Sequence, residues 1–285
     1  MDSHLHLIDP TVLAYDWLAG PLDATFAALE INEEQLSGVD EEAAIFVQAE
    51  PIDGQALEEV RWVDSIALAS GVVAIVAGAR LDRGAATDEQ LEALAASERV
   101  VGVRHLLQGE PDGYARTETF RRGARQLARR GWTFDACVRE SQVADVTALA
   151  ESVPDLPIVL DHLGKPSVGS ASAPLAPGEN WRRDLAALAR HPQVFCKLSG
   201  LPAETGGVWT DAQITPFLDV ALDVFGPDRL MWGSDWPVSS IADGSDYAVG
   251  SRQQWFRTVA EWAAGHNLDA DAIFWSNALT FYGIR

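Results

Sequence analysis

Four side chains in this sequence are of types that bind divalent cations or move protons. His4 and His6 stand two residues apart, so on an extended strand both imidazoles aim at the same face. His162 lies in Leu-Asp-His-Leu-Gly-Lys-Pro at 160–166, and Asp235 in Gly-Ser-Asp-Trp-Pro at 233–237. Three imidazoles and one carboxylate can hold one divalent ion, zinc before others, and leave room for a water whose pKa the ion lowers. The same four residues can also work without metal. Asp235 then takes a proton from water while the histidines polarise a carbonyl. A lone histidine is more often a hydrogen-bonded structural group, but a His-x-His pair joined by a third His and an Asp is hard to explain that way.

Other polar residues collect at the ends of apolar runs: Arg104 and His105, Arg139, and Lys197 in Lys-x-Ser-Gly. Arg104 and His105 are adjacent, so along a strand only one of them points inward. An unpaired cation inside such a site is costly, which marks Arg139 and Lys197 as functional candidates. Asp161, opposite in parity to His162, reads as structural. Trp209, Trp232 and Trp236 either line a pocket or pack. His191 and His266 read as solvated, and Cys137 and Cys196, inside apolar runs, as buried free thiols.

These residues need a scaffold that gathers strand ends. Eight apolar runs recur, at 2–7, 44–49, 72–81, 100–107, 133–138, 157–164, 193–200 and 229–235. Runs that are apolar on both parities indicate strands covered on two faces, as in parallel sheets. Amphipathic stretches lie between them, such as 57–70 with Leu57, Val60, Val63 and Ile66 on one face. Thr87-x-x-Gln90 and Thr210-x-x-Gln213 read as capping boxes, and Gly226-Pro227 as a helix stop. Starts of successive runs are mostly 24–36 residues apart, the length of one βα unit. Eight alternations predict a closed (β/α)8 TIM barrel over residues 1–285 as one domain, with its site at the C-terminal strand ends. No Gly-x-Gly-x-x-Gly follows the first strand, which argues against a dinucleotide fold. Residues 8–43 and 165–180 form long loops, the second rich in Gly, Pro, Ser and Ala and expected to act as a lid. The first run begins at Met1-Asp2, so either that strand is short or the natural chain starts upstream.

The 285 residues, 47% of them hydrophobic, supply one large core. A net charge of −21 argues against nucleic acid and against anionic membrane surfaces. No signal peptide or membrane-length apolar run is visible, so a cytoplasmic location is expected. A homo-oligomer is compatible with this composition.

The chain resembles the amidohydrolase-related lactonases, the group with L-fuconolactonase, L-rhamnonolactonase and 2-pyrone-4,6-dicarboxylate hydrolase. The resemblance spans nearly the whole chain and is carried by DSHLHLIDP (2–10), VVGVRHLLQGEPD (100–112), FDACVRESQ (134–142), LDHLGKP (160–166), CKLSGL (196–201), FGPDRLMWGSDWPV (225–238) and NALTFYGI (277–284). It implies an amidohydrolase-superfamily barrel that opens a lactone, by the sugar-acid branch, with water activated by Asp235. His4, His6, His162 and Asp235 are the implied core set. Arg104 or His105, Arg139 and Lys197 are the implied substrate contacts, and Trp236 joins them if it lines the pocket. The chain departs from the group after SGL, where Glu204 aligns but the following Trp is displaced, and members differ in metal dependence. Binuclear chemistry in this architecture wants a bridging Lys on the fourth strand and a His on the fifth; neither is present, so at most one metal is expected. The rival reading is a metal-dependent decarboxylase of an unsaturated or aromatic acid, and the remaining one a non-catalytic sugar-acid binder.

Overall fold

In the computed structural model, which describes residues 1–206, 208–242, 246–247 and 251–284, each apolar run contains a strand. These are β1 (Asp2–Leu5), β2 (Ala44–Val47), β3 (Val72–Gly78), β4 (Val100–Arg104), β5 (Thr133–Ala136), β6 (Ile158–Leu160), β7 (Val194–Leu198) and β8 (Leu230–Trp232). All neighbours pair in parallel and in chain order. The ring closes just beyond the regular ladder. Leu5 bridges Trp236, His6 N–H donates to the Trp236 carbonyl at 2.8 Å, and Asp235 N–H to the His4 carbonyl at 2.8 Å. The seam of the barrel thus carries His4, His6 and Asp235. This is the expected (β/α)8 architecture.

The strands are shorter than the runs because the last residues of several runs leave the ladder. His162 and Leu163 adopt left-handed backbone (φ 55 and 54), as does Asp235 (φ 56). Non-glycine residues hold that conformation only where the surroundings over-determine it, and such positions cluster at functional sites.

The main outer helices are α1 (Ala56–Ser70), α2 (Ala85–Leu94), α3 (Glu118–Arg130), α4 (Val143–Ser152), α5 (Glu179–Leu188), α6 (Asp211–Phe225) and α7 (Ser251–Gly265). On α1, Val60, Val63 and Ala67 are buried while Leu57 and Ile66 are half-buried. Neither expected capping box caps. Thr87 lies inside α2, where its hydroxyl donates to Arg80 O at 2.7 Å while Gln90 Oε1 accepts Arg80 N–H at 3.1 Å, so both tie down the β3–α2 turn. Thr210 does stand at the N-cap of α6 but makes no side-chain cap, and Gln213 Nε2 donates instead to the Val168 and Gly169 carbonyls. Gly226, at φ 71, ends α6 as expected.

Apolar packing forms two layers. Phe46, Ile75, Phe134 and Leu160 belong to the layer between strands and helices. Ile45, Val47, Val76, Val159 and Met231 form a separate cluster closed by Phe281 and Tyr282 of the terminal helix α8 (Asn277–Tyr282). The loop expected as a lid holds a small hairpin, Gly169–Ser170 with Ala173–Pro174. Cys137 and Cys196 are buried and free. Among the described residues, no helix is long and apolar enough to cross a membrane.

Candidate active site

His4 and His6 straddle the end of β1 on one face, as their spacing requires. His162 reaches the same point because the left-handed turn after β6 breaks strand alternation. Asp235 arrives from the closing seam. Asp235 Oδ1 is then 3.6 Å from His4 Nε2, 3.3 Å from His6 Nε2 and 3.6 Å from His162 Nε2. His4 Nε2 and His6 Nε2 are 3.2 Å apart. All four side chains are buried.

Each of these groups is oriented from behind. His6 Nδ1–H donates to the Val47 carbonyl at 2.8 Å, which leaves Nε2 as a bare lone pair. His162 Nδ1 meets Ser199 Oγ at 2.9 Å. Ser239 Oγ donates to Asp235 Oδ2 at 2.8 Å, which leaves Oδ1 for the histidines. His4 Nδ1 lies 3.2 Å from Asp161 Oδ1, and donation to that carboxylate frees its Nε2 as well. Two glycines permit this packing. A Cβ at Gly200 (φ 69) would sit 2.3 Å from His162 Nδ1, and one at Gly233 would sit 2.7 Å from His4 Cβ.

The protonation states match the geometry. Burial pushes the His162 imidazole down to about 4, despite the pull of Asp235. Burial and then Lys197 hold His4 well below the ordinary histidine range. Burial alone would raise the Asp235 carboxyl, but the surrounding histidines, His162 first, outweigh it and keep it far below the usual carboxylate range. At neutral pH the site therefore presents neutral His4 and His162 imidazoles and a carboxylate. Ligand atoms at the corners of a tetrahedron with metal–ligand bonds of about 2.0–2.1 Å are roughly 3.3 Å apart. The spacing around Asp235 Oδ1 is of that size, and His4, His162 and Asp235 form a compact three-residue ligand group. Lone pairs this close repel unless a cation or proton stands between them, so the residues fit one divalent ion. That set also suits accepting a proton from water and stabilising charge on a carbonyl oxygen.

Among the expected substrate contacts, Arg104 points inward, with Nη1 3.5 Å from His4 Nε2. Its neighbour His105 faces away, as parity demands. Its ring packs against Phe120 and Tyr114 and its Nδ1 accepts Leu81 N–H at 3.2 Å, so its first duty is to hold the β3 end. Lys197 is not at the surface of the site but fully buried beneath His4. Its Nζ is 2.5 Å from Asp135 Oδ2, 3.2 Å from Asp161 Oδ1 and 3.1 Å from His4 Nδ1. The expectation of an unpaired cation fails because two carboxylates, invisible as partners in the sequence, neutralise it. Trp236 is fully buried, edge-on to Phe26 at 5.6 Å. Trp209 packs on Trp255, and Trp232 against Phe256. Arg139 stays exposed at the rim. There burial raises the Glu204 carboxyl while Lys165, 3.7 Å away, and Arg139 act against it. Asp161, read as structural, lies directly behind His4.

Missed by sequence reasoning were Asp135, Ser199, Ser239 and Tyr282, whose hydroxyl donates to Asp135 Oδ2 at 2.8 Å. Ser199 alone had a signal, its place in the Lys-x-Ser-Gly stretch.

A family model described as Amidohydrolase matches residues 1–284. The L-fucono-1,5-lactonase of Burkholderia ambifaria is 29% identical over 288 residues, covering 100% of this chain and 95% of that protein. The L-rhamnono-gamma-lactonase of Scheffersomyces stipitis is 24% identical over 203 residues, covering 65% and 59%. A crystal structure of an amidohydrolase from Burkholderia multivorans with bound zinc superposes at a TM-score of 0.81 with 28% identity, covering 100% of this chain and 99% of that one.

Proposed function

Since the chain belongs to the amidohydrolase family, we propose that it is a lactonase that opens a sugar-acid lactone with water to give the hydroxy acid. The observation that carries this reading is the approach of three imidazole nitrogens to one oxygen of Asp235, at 3.3–3.6 Å. It is supported by a relative named as a lactonase, the Burkholderia ambifaria protein, that aligns across the full chain length. His4, His6, His162 and Asp235 would hold one divalent ion, zinc by analogy with the similar Burkholderia multivorans structure. When bound, the ion lowers the pKa of water and polarises the lactone carbonyl.

Asp235 Oδ1, ionised and aimed by Ser239, accepts a proton from the attacking water as its oxygen bonds to the carbonyl carbon. The Arg104 guanidinium, beside His4, is placed to meet the negative charge on the carbonyl oxygen. Collapse of the tetrahedral centre breaks the ring C–O bond, and the proton held by Asp235 passes to the departing ring oxygen. One water is consumed and one hydroxy acid leaves. Acid release from a panel of aldonolactones, followed with and without chelator, tests the proposal. Including an unsaturated carboxylate in the panel covers the decarboxylase reading, which predicts loss of carbon dioxide from that acid and no acid release from the lactones.

A further inference from the structure

A cavity of about 740 Å³ opens beside Arg104, where β2, β3 and β4 end. Trp17 of the first long loop, Glu50 after β2, Arg80 after β3 and Arg83 line it. Nothing in the sequence singled out Glu50. Its backbone is left-handed, φ 57, and several contacts enforce that conformation. Glu50 N–H donates to Gln48 Oε1 at 2.5 Å, and Ala49 N–H to Glu59 Oε1 at 2.8 Å. Trp17 Nε1–H reaches the carbonyls of Ala49 and Glu50 at 2.9 and 3.2 Å. Arg104 Nη2 donates to the Gln48 carbonyl at 2.5 Å, which links this turn to the histidine cluster.

The charges in the cavity are unequal in availability. Arg80 is committed to Glu110 (2.9 Å), Asp82 (3.3 Å) and the Tyr114 hydroxyl (3.1 Å), and Arg83 to Asp53 (2.9 Å). Among the described residues, the Glu50 carboxyl has no hydrogen-bond or ion-pair partner. The side chain is exposed at the cavity, and partial burial pushes its carboxyl up against the pull of Arg104 and Arg80. A carboxylate entering here meets Arg80 and Arg83 already paired, Arg104 turned to the Gln48 carbonyl and His4, and the carboxylate of Glu50 that repels it. Because Glu50 is exposed, a hydroxyl entering here replaces water as the donor to its carboxylate.

Resting on the lactonase reading, we propose that this cavity receives the neutral hydroxylated chain that projects from the lactone ring. Glu50 accepts hydrogen bonds from its hydroxyls, and lactones with a second carboxylate at that position are rejected. Glu50 is thus a specificity-determining residue, set apart from the groups that perform the hydrolysis.

The test uses a six-carbon aldonolactone and the corresponding aldarolactone, which has a carboxylate in place of the terminal CH2OH. Wild type should prefer the aldonolactone by at least about tenfold in kcat/KM, the effect of a hydrogen bond to a charged group. Glu50→Gln should raise KM for the aldonolactone about tenfold, with a smaller change in kcat, and improve the aldarolactone. A wild-type preference for the aldarolactone, or unaltered discrimination in both Glu50→Gln and Glu50→Ala, would overturn the proposal. If neither lactone is hydrolysed, the lactonase reading fails, and calorimetric binding of the open-chain aldonate and aldarate decides the cavity separately. An aldonate preference that collapses in Glu50→Gln keeps the assignment of the cavity; equal binding of the two acids ends it.

Discussion

The Lys197 ammonium lies 3.1 Å from His4 Nδ1, behind the ring whose opposite nitrogen is 3.6 Å from Asp235. Lys197 therefore stands behind His4, where it pairs with Asp135 and Asp161. Its removal leaves two buried carboxylates without their cation. Lys197→Met should lower unfolding free energy by about 3–5 kcal/mol, the usual cost of breaking a buried pair from one side. Denaturant unfolding measures this. A variant of unchanged stability with only a raised KM would return Lys197 to the substrate surface.

Asp161 orients His4 from the side away from the ligand cluster, at 3.2 Å. Asp161→Asn keeps the shape and removes the acceptor charge. Loss of such a supporting partner costs about 10–100-fold in metal affinity. Zinc titration against a competing chelating dye should show that loss and a stoichiometry of one ion per wild-type chain. Two ions per chain, or equal affinity in the variant, would contradict the assignment.

The acid limb of the pH–rate profile should fall well below the ordinary histidine value of 6.5. Burial holds His162 at about 4, and Asp235 ionises lower still. Falling pH adds a proton to His162, which then neither ligates nor accepts. The same shift makes the unfolded chain the better proton acceptor at this position. Its contribution to stability is neutral above pH 6.5 and becomes a penalty as pH drops toward 4, reaching about 3 kcal/mol. The profile of kcat/KM from about pH 3 to about pH 8 checks the catalytic half, a window that reaches below the expected limb and past the ordinary histidine value. A limb centred near 6.5 would show an unperturbed histidine in control.

The fold was legible because every barrel strand is an apolar run with both faces covered, a pattern that survives without knowledge of partners. His4 and His6 were legible for a related reason: period-two spacing fixes their common face. His162 and Asp161 defeat that rule, because left-handed residues at 162 and 163 let neighbouring side chains serve one site from two sides. The same rule said only that one of Arg104 and His105 points inward, and β4, regular through Arg104, turns Arg104 in. The pairing of Lys197 was missed because its partners, Asp135 and Asp161, come from two other strand ends and leave no local trace. Glu50 was missed because its importance lies in a turn conformation and a cavity, neither of which has a residue pattern.

Asp235 is the group on which the proposed chemistry depends most directly. Asp235→Asn preserves size and the contact to Ser239 but removes the basic oxygen that faces the three histidines. Steady-state kinetics of this variant and wild type on the best aldonolactone is the decisive measurement. A fall in kcat of at least roughly 10²-fold is predicted, the lower range for a positioned acid–base group, with an unchanged unfolding transition as the folding control. Turnover of the variant near the wild-type rate would remove Asp235 as the base and contradict the account.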